Sequence, residues 1–549
     1  MADATYDAVV IGGGSNMLVT ALYLARNGMK VGVFERRHEI GGKFCSDELP
    51  FPGFLMNTCA TFIRFYLCPA VWDFKLQQYG LRFVMPEPSN SVIFDDDTAL
   101  VMWPTKRIDL DSGKVTDIPE NLERNLQQVA KFSQKDADTL ARWLDRFKRE
   151  GIEEKITQWY YNPPPPPHEK DLDEKLVEMG QVDPSWVTKS YGEIAYELFE
   201  SDALRIYFMR LAQGHQGSYP HQPQHLMFTL HQISSMAGGM PIAISVGGTH
   251  QIAHALQRAL SSMGGHFFVN AEVDKILVRG GRATGVKLVD GTEVEAKEIV
   301  VSGADPFQMA FRLLDPQLTS EEEKRKIKKL WGDNYGLLWV QFALYELPKY
   351  RAALTEPQCM TQRCYLLPKD ADYFRFEKLK ECKEKGLPSK FLFHLTHDTA
   401  WVPSYAPPGK HTLLVEEYTA PDKHFPRERW EEIRREVPGA LLKWWQRFAP
   451  NMTEDNVIGS HVILGIDVVD RWKEPQWSCI GHITEQLGKR RPIPEWSGYK
   501  IPSVQNLYLC GQSQHPGGSS WGLSGYNCYK VIATELHLER VWEKAGRPF

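Results

Sequence analysis

Three consecutive glycines, Gly12, Gly13 and Gly14, and an acid at Glu35 form the first chemically informative pattern of the sequence. Glycine permits a tight turn and a close approach of the backbone to a pyrophosphate, and the N-terminus of a following helix offers unpaired N–H groups and a positive dipole end. The acid lies 23 residues after Gly12, where a carboxylate accepts a hydrogen bond from a ribose hydroxyl and disfavours a 2′-phosphate. The pattern therefore predicts a site for FAD or NAD and not for NADP.

The neighbouring sequence supplies the elements that such a site needs. Residues 6–11 (YDAVVI) predict a buried strand, and the apolar spacing of residues 17–25 predicts a helix. Residues 30–34 (KVGVF) predict a second strand, which ends on Glu35. The order strand, tight turn, helix, strand is that of a dinucleotide-binding fold.

The start of the predicted helix contains one departure from the dinucleotide fingerprint. Ser15 and Asn16 lie at this start, and we expect them to contact the cofactor. Met17 stands where a third small residue normally lets the helix pack closely on the strand. Either the helix is displaced, or the flexible side chain of Met17 fills a local gap.

The segment after Glu35 separates FAD from NAD. Glu35-Arg36-Arg37 is soon followed by Gly41-Gly42-Lys43. A second glycine pair after the ribose acid is typical of flavoproteins, in which it brings another backbone stretch close to the cofactor. Simple NAD dehydrogenases usually lack this pair. We therefore predict FAD as the cofactor, with Arg36, Gly42 and Lys43 among its contacts.

With these residues the chain resembles the phytoene desaturase-like flavoproteins of the carotenoid desaturase and amine oxidase superfamily. Three blocks carry the resemblance, namely residues 7–43, residues 245–306 and residues 506–527. The resemblance implies that the backbone of Val273, in the middle block, holds the adenine end of FAD. It also implies that the last block, NLYLCGQSQHPGGSSWGLSGYN, closes around the flavin.

The last block also has a physical interpretation of its own. Residues 507–510 predict a buried strand, and a helix is predicted to begin near residues 522–524. A helix N-terminus can stabilise the negative charge that appears near N1 and C2=O of a reduced flavin. At this end of the cofactor we expect Gly511, Gln512, Gly522 and Leu523. The family usually has a smaller residue in place of Trp521 and a threonine in place of Gln514, which implies a remodelled pocket beside the ring.

The length of the chain bounds its domain organisation. A chain of 549 residues with 42% apolar residues exceeds the roughly 250–300 residues over which single cores keep growing. We predict an α/β protein with a discontinuous Rossmann-type FAD-binding domain and an inserted α+β substrate domain. The FAD-binding parts are residues 1–105, 240–310 and 481–549, and the substrate parts are residues 106–239 and 311–480.

Charge and hydropathy exclude several classes of partner. The formal net charge of −5 is small for the length, so we expect no nucleic-acid partner. No run of about 18 apolar residues and no signal-peptide pattern is found, and we therefore expect a cytoplasmic protein. Peripheral membrane contact would suit a lipophilic substrate, although no strong basic amphipathic helix supports it. We expect a homo-oligomer.

The two inserted segments should select the substrate. They contain most of the tryptophans, and aromatic walls suit a hydrophobic substrate, although rings that only fill a core explain them equally well. The five prolines of residues 163–167 predict an extended surface excursion. Four histidines of one segment fit no common metal spacing, so we predict no metal site; they are His215, His221, His225 and His231.

These observations lead to a functional hypothesis. We expect an FAD-dependent oxidoreductase that oxidises, and in particular desaturates, a hydrophobic molecule by hydride transfer to flavin N5. The electron acceptor is open between oxygen, a quinone and another compound. His515 is our candidate for a catalytic polar group near the ring, and a structural hydrogen bond in its loop is the alternative. Two other functions stay open: a flavin-dependent isomerase or hydratase of an unsaturated substrate, and a non-catalytic protein that retains FAD.

Overall fold

The computed structural model describes residues 3–60, 63–216, 219–330, 336–473, 487–518 and 521–544. Its strands, in chain order, are β1 (Ala4–Ile11), β2 (Val31–Phe34), β3 (Ser46–Asp47), β4 (Met56–Asn57), β5 (Phe83–Val84), β6 (Asn90–Phe94), β7 (Ala99–Met102), β8 (Lys106–Ile108), β9 (Val115–Asp117), β10 (Ile244–Ser245), β11 (His266–Phe268), β12 (Val273–Arg279), β13 (Arg282–Leu288), β14 (Glu293–Ser302), β15 (Gly336–Leu344), β16 (Arg363–Leu367), β17 (His394–Thr396), β18 (His411–Thr419), β19 (Val457–Leu464) and β20 (Leu507–Leu509).

The α-helices of the described residues, also in chain order, are α1 (Ser15–Arg26), α2 (Ala70–Asp73), α3 (Pro119–Ala130), α4 (Gln134–Arg149), α5 (Ile152–Tyr160), α6 (Leu172–Glu178), α7 (Tyr191–Leu198), α8 (Asp202–Gln216), α9 (Leu226–Ser235), α10 (His250–Ser262), α11 (Pro306–Gln308), α12 (Glu321–Lys329), α13 (Lys378–Lys385), α14 (Arg427–Trp445), α15 (Gly465–Trp472) and α16 (Leu523–Glu535). Within this described part, no helix is long and apolar enough to cross a membrane.

The first sheet gathers strands from both ends and the middle of the chain. Its order is β11-β2-β1-β14-β13-β12, and β20 pairs with β14. β1 runs parallel to β2 and to β14, and β20 runs parallel to β14. The antiparallel meander β12-β13-β14 completes the sheet. This arrangement is the discontinuous Rossmann-type domain.

Two helices from opposite ends of the chain cover one face of this sheet. Gly525 of α16 lies so close to α1 that an added Cβ would be 2.1 Å from the carbonyl oxygen of Asn16. The Thr20 hydroxyl of α1 donates to the Gly525 carbonyl at 2.8 Å, and the rings of Tyr23 and Tyr529 stack with centroids 4.6 Å apart. A stacked pair of this kind adds about 1 kcal/mol to the burial of its area.

The second sheet, in the order β19-β15-β18-β17-β16-β6-β7, is mainly antiparallel. β6 pairs with β16 in parallel and with β7 in an antiparallel manner. Residues 90–102, which we assigned to the first FAD-binding part (1–105), therefore belong to the inserted domain. The reason is that β6 forms hydrogen bonds with β16, which lies more than 250 residues later in the chain. The sequence around residues 90–102 contains no sign of this pairing. The other predicted boundaries stay predictions, and the one at 480–481 lies outside the described residues.

The two faces of the second sheet differ in composition because side chains alternate along each strand. One face is apolar and packs against α14, which contributes Trp430 and Trp445 to the core. The opposite face carries larger and more polar side chains, among them Trp339, Glu416 and Tyr365. Helices α3 to α9 pack around the sheets in one large core, and the proline run of residues 163–167 forms neither helix nor strand.

Candidate functional site

A cavity of about 300 Å³ lies between the first and the second sheet. Its walls come from the N-terminal, middle and C-terminal blocks of the chain, which the fold brings together at one place. The predicted cofactor residues that line it are Gly12, Gly14, Ser15, Asn16, Glu35, Arg36, Gly42, Lys43, Val273, Gly511, Gln512 and Gly522. Gly13 and Leu523 do not line the cavity, although they lie in the same turns.

The N-terminus of α1 opens into this cavity. Gly14 is the N-cap residue, with extended backbone, and no side chain caps the first turn. The first helical hydrogen bond runs from the Leu18 amide to the Gly14 carbonyl at 3.0 Å. An uncapped helix start next to a glycine turn can hold a phosphate through its N–H groups and its dipole.

Met17 occupies the space between this turn and two other backbone segments. A Cβ added to Gly303 would lie 2.4 Å from Met17 Sδ, and one added to Gly14 would lie 2.7 Å from Met17 Cε. The side chain therefore fills the gap that the departure from the fingerprint leaves. Of the two alternatives for this position, the structure shows the filled gap.

Glu35 lies at the end of β2 and connects two backbone segments. Its Oε2 accepts from the Gly13 amide at 2.7 Å, and its Oε1 accepts from the Arg37 amide at 2.8 Å. The residue is 9% exposed and lines the cavity. Each carboxylate oxygen can accept more than one hydrogen bond, so the group can also bind a ribose hydroxyl.

The second glycine pair approaches the first turn directly. The Gly41 amide donates to the Gly13 carbonyl at 2.8 Å, and Gly42, with a φ of +59°, would place a Cβ 3.2 Å from the Gly14 Cα. Lys43 follows and donates from Nζ to Gln512 Oε1 at 2.9 Å. This contact joins the N-terminal block to the C-terminal block at the wall of the cavity.

Val273 and Arg36 lie at the end of the cavity near Glu35. Val273 is the first residue of β12. Arg36 donates from Nη2 to the Arg471 carbonyl at 2.6 Å. Arg312 and Trp472 also line this end, and Arg312 forms an ion pair of 2.8 Å with Glu272. Neither residue was predicted to line the cofactor site, because both belong to the inserted segment, whose path over the cavity leaves no local motif.

The C-terminal block forms the opposite end. The Cys510 amide donates to the carbonyl of Ser302, the last residue of β14, and Gly511 follows with a φ of +100°. Gly522 is the N-cap of α16, with a φ of +71°, and no side chain caps this helix start either. A Cβ on Gly522 would lie 2.7 Å from a ring carbon of Phe65, so glycine is needed here.

His515 lies outside the cavity lining. It is fully buried, and its Nε2 donates to the Trp159 carbonyl at 2.7 Å. Burial lowers its pKa to about 4, so the imidazole is neutral near pH 7. This contact is of the structural kind that we weighed against a place near the ring.

The histidine segment of the inserted domain contributes aromatic packing. His225 stacks on Trp159 at 5.5 Å, and the ring of His231 lies 6.0 Å from that of Trp521, which lines the cavity. The side chain of His215 lies outside the described residues. Across the described chain, no group of three or more His, Cys, Asp or Glu side chains is placed to hold a metal ion.

Beyond Trp521 the cavity continues to the polar face of the second sheet. Arg64, Gly214, Arg363 and Glu416 line this part. None of these four residues was among the predicted site residues. The alternation of Arg363 with Cys364 and of Glu416 with Val415 is the signal that could have indicated a charged inner face.

The cavity residues fit an FAD molecule. Uncapped helix starts lie at two places along the cavity, the Glu35 carboxylate lines it, and glycines leave room for close approach. Fold and cavity therefore define a dinucleotide-binding flavoprotein.

The chain belongs to the flavin containing amine oxidoreductase family, whose family model matches residues 18–520. It is an FAD-dependent oxidoreductase. The family match confirms the predicted cofactor and the predicted superfamily.

Three relatives align with nearly the whole chain. Pyridine nucleotide-disulfide oxidoreductase domain-containing protein 2 of Mus musculus is 28% identical over 97% of this chain and 94% of the relative. A limonene dehydrogenase polypeptide of Castellaniella defragrans is 25% identical over 98% and 96%. The lycopene-forming phytoene desaturase of Paracoccus sp. is 23% identical over 95% and 96%. The last match agrees with the resemblance to the phytoene desaturases.

A solved structure shares the fold. Cyclohexylamine oxidase from Brevibacterium oxydans superposes with a TM-score of 0.57 at 16% identity, covering 97% of this chain and 99% of the oxidase. At this level of identity the similarity shows the architecture, namely a Rossmann-type FAD domain with an inserted second domain.

Proposed function

We propose that this chain oxidises, by desaturation, an apolar organic substrate whose reacting C–H bond is held against FAD in the cavity. Bound FAD supplies the hydride acceptor, flavin N5. The observation that carries the proposal is the convergence of the three blocks on one cavity that continues, past Trp521, to the inner face of the second sheet. Cofactor and substrate can therefore occupy a continuous space.

The N-terminal and middle blocks have distinct roles in this proposal. The uncapped first turn of α1, at Gly14, Ser15 and Asn16, binds the pyrophosphate. Glu35 accepts from the ribose hydroxyls, and the backbone of Val273 holds the adenine. Each group is already fixed by its own hydrogen bonds or strand pairing, so little further ordering is needed on binding.

The C-terminal block acts on the flavin ring. The start of α16 at Gly522 and Leu523 offers N–H groups and a dipole that stabilise negative charge on the ring once it is reduced. Gly511 lets the backbone approach the ring, and the contact of Lys43 with Gln512 fixes the adjoining loop. These groups favour the reduced state and therefore favour oxidation of the substrate.

The relatives support an apolar substrate. Limonene and phytoene, which appear in the names of two of them, are both unsaturated hydrocarbons. Trp521 gives the cavity an aromatic surface that suits such a molecule, and the rings of Tyr160 and His231 pack behind it with centroids 5.0 and 6.0 Å from that of Trp521.

An anaerobic titration tests the proposal. The FAD-loaded protein is mixed with limonene, squalene or dodecanoate, and the visible band of the flavin is followed while the product is analysed by mass spectrometry. We expect bleaching of the band by at least one compound and a product that lacks two hydrogens. Free FAD with the same compounds is the control and should not bleach.

Other outcomes contradict the proposal. A product of unchanged mass, or one heavier by water, formed only after prior reduction of the flavin, would identify an isomerase or hydratase. No bleaching across a broad panel, with FAD still bound, would point to a protein that only retains the cofactor. Reoxidation by oxygen or by a benzoquinone after bleaching identifies the acceptor.

A further inference from the structure

The part of the cavity beyond Trp521 carries more charge than a hydrocarbon substrate requires. Arg64 is 9% exposed and Arg363 is 2% exposed, and both line this part of the cavity. The guanidinium of Arg64 lies 5.8 Å from the centre of the Trp521 ring, and that of Arg363 lies 4.8 Å from the centre of the Tyr365 ring. Burial removes water from both guanidinium groups, and an anion bound in the cavity would compensate part of that loss of hydration.

The strand pattern of the second sheet explains how these groups come together. Trp339, Glu416, His394 and Tyr365 are direct partners across β15, β18, β17 and β16, so they share one face. Arg363 lies two residues before Tyr365 on β16 and therefore shares that face as well. The face thus presents a cation and a carboxylate to the cavity.

Gly214 of α8 leaves this charged wall open. A Cβ added to Gly214 would lie 3.4 Å from Arg210 Nη1, 3.5 Å from the Tyr418 hydroxyl and 3.9 Å from Arg363 Nη2. Three polar groups from α8, β18 and β16 therefore converge on a place that any side chain at position 214 would fill. The opening is polar on all of these sides.

The carboxylates at this wall have several partners, and Arg210 and Arg363 both oppose the rise that burial causes in the pKa of Glu416. Glu416 accepts from Trp339 Nε1 at 3.1 Å and from the Tyr418 hydroxyl, and its Oε1 lies 3.6 Å from His394 Nδ1. Glu417 forms an ion pair of 2.6 Å with Lys378.

Cations outnumber anions in this cluster. Among the described residues, the four cations Arg64, Arg210, Arg363 and Lys378 interact with one another or with the two carboxylates Glu416 and Glu417. Burial, together with repulsion from Arg64 and Arg210, lowers the pKa of Arg363, as expected where like charges are crowded. The carboxylate of a ligand would add a further anion beside these cations.

We propose that the substrate is an apolar acid whose carboxylate binds Arg64 and Arg363 at the inner end of the cavity. The proposal rests on the proposed function, since it places the acid next to the flavin. Guanidinium groups match the geometry of a carboxylate and bind it through charge-assisted, often bidentate, hydrogen bonds. Holding the acidic end in this way would decide which C–H bond of the apolar chain faces the ring.

Ligand binding to the FAD-loaded full chain tests this inference without any turnover. Octanoate, dodecanoate and cinnamate are titrated against the protein, each beside its primary amide, and the shift of the visible flavin band reports binding. We expect at least one acid to bind about tenfold more tightly than its amide, because the amide lacks the charge that the arginines select. If no acid in the series binds more tightly than its amide, the proposal is wrong.

Variants assign the effect to the two arginines. Arg64→Gln and Arg363→Gln should each weaken binding of the acid about tenfold and leave binding of the amide unchanged, and Arg64→Lys should retain part of the preference. Arg142→Gln, on the exposed side of α4, is the matched control and should bind the acid as the wild type does. Equal affinity of wild type and both glutamine variants for the acid would overturn the assignment.

Arg64→Gln keeps the test valid if the buried Arg363→Gln variant does not fold. Failure of the proposed function has a different signature: the acid still shifts the flavin band, but no compound bleaches it. Loss of the flavin band itself would show that the cofactor is absent.

Discussion

At the scale of single residues, Glu35 illustrates how one side chain can serve both the fold and a ligand. Its two oxygens accept from the amides of Gly13 and Arg37, which fixes the turn after β1 against the chain after β2. The position of Glu35 after the glycine turn, at the end of the second predicted strand, led to its prediction as the acid that binds ribose. The sequence did not predict the bond to Gly13, and this bond explains why Gly13 matters although it does not line the cavity.

Replacing Glu35 by Gln should weaken FAD binding about tenfold or more. The N–H₂ group of the new glutamine would point at one of the two backbone N–H donors, Gly13 or Arg37, and could not accept its hydrogen bond. The negative charge that strengthens a hydrogen bond from the ribose would also be lost, at a cost of about 1.5–3 kcal/mol. Titration of the apoprotein with FAD, followed by flavin fluorescence, measures the change. Glu298→Gln, an exposed position on β14 of the same sheet, should leave the affinity at the wild-type value. An unaltered affinity in Glu35→Gln would exclude the ribose role.

His515 should make the fold sensitive to acid. Its folded-state pKa of about 4 lies below the ordinary value near 6.5, so the unfolded chain takes up a proton that the native imidazole does not. Stability is therefore lost as the pH falls from about 6.5 toward 4. Between about pH 7.5 and about pH 5, urea unfolding of the wild type should lose about 2 kcal/mol more than that of His515→Gln.

The exposed His168 provides the control for this pH dependence. Its side chain is 81% exposed, so His168→Gln should lose the same stability as the wild type over that pH range. The same loss in His515→Gln and in the wild type would show that His515 titrates normally. The structural role of His515 could not be decided from the sequence, because its partner Trp159 lies 356 residues away.

At the scale of elements, the contact between α1 and α16 holds the two ends of the chain together at the cavity. Gly525→Ala should destabilise the protein by about 1–3 kcal/mol, because its Cβ would lie 2.1 Å from the Asn16 carbonyl and would force the helices apart. Since both helix starts face the cavity, we also expect weaker retention of FAD. Thermal unfolding and the flavin content after gel filtration measure the two effects.

A second helical glycine separates crowding from helix propensity. Gly439 of α14 has no atom within 4 Å of an added Cβ, so Gly439→Ala should stabilise the protein by up to about 1 kcal/mol. Opposite shifts of the two thermal midpoints are the expected result. If both variants shifted the thermal midpoint in the same direction, the contact between α16 and α1 would not be the reason for glycine at position 525.

At the scale of the whole molecule, the predictable parts are those that local chemistry determines. The glycine turn, the acid after β2 and the helix after Gly522 were each predicted from a short segment, and all are present. The inner wall of the cavity follows from no short segment, since Arg64, Arg363 and Glu416 meet only through packing of remote strands and loops. The position of β6 and β7 in the second sheet likewise depends on pairing with a remote strand, and it differs from our assignment of these residues to the first FAD-binding part.

A cavity assembled from remote segments should couple cofactor binding to the stability of the whole chain. FAD that binds only the folded state adds about 2.7 kcal/mol when its concentration is a hundred times the Kd, so the apoprotein should melt at a clearly lower temperature than the FAD-loaded protein. ADP, which carries the adenine, ribose and pyrophosphate only, should raise the midpoint less than FAD does, because it does not reach Gly511 and Gly522. Adenosine 2′,5′-bisphosphate should raise it least, because its 2′-phosphate would face the Glu35 carboxylate. If ADP stabilised as much as FAD, the C-terminal block would contribute nothing to cofactor binding, and if the bisphosphate matched ADP, Glu35 would not lie at the ribose.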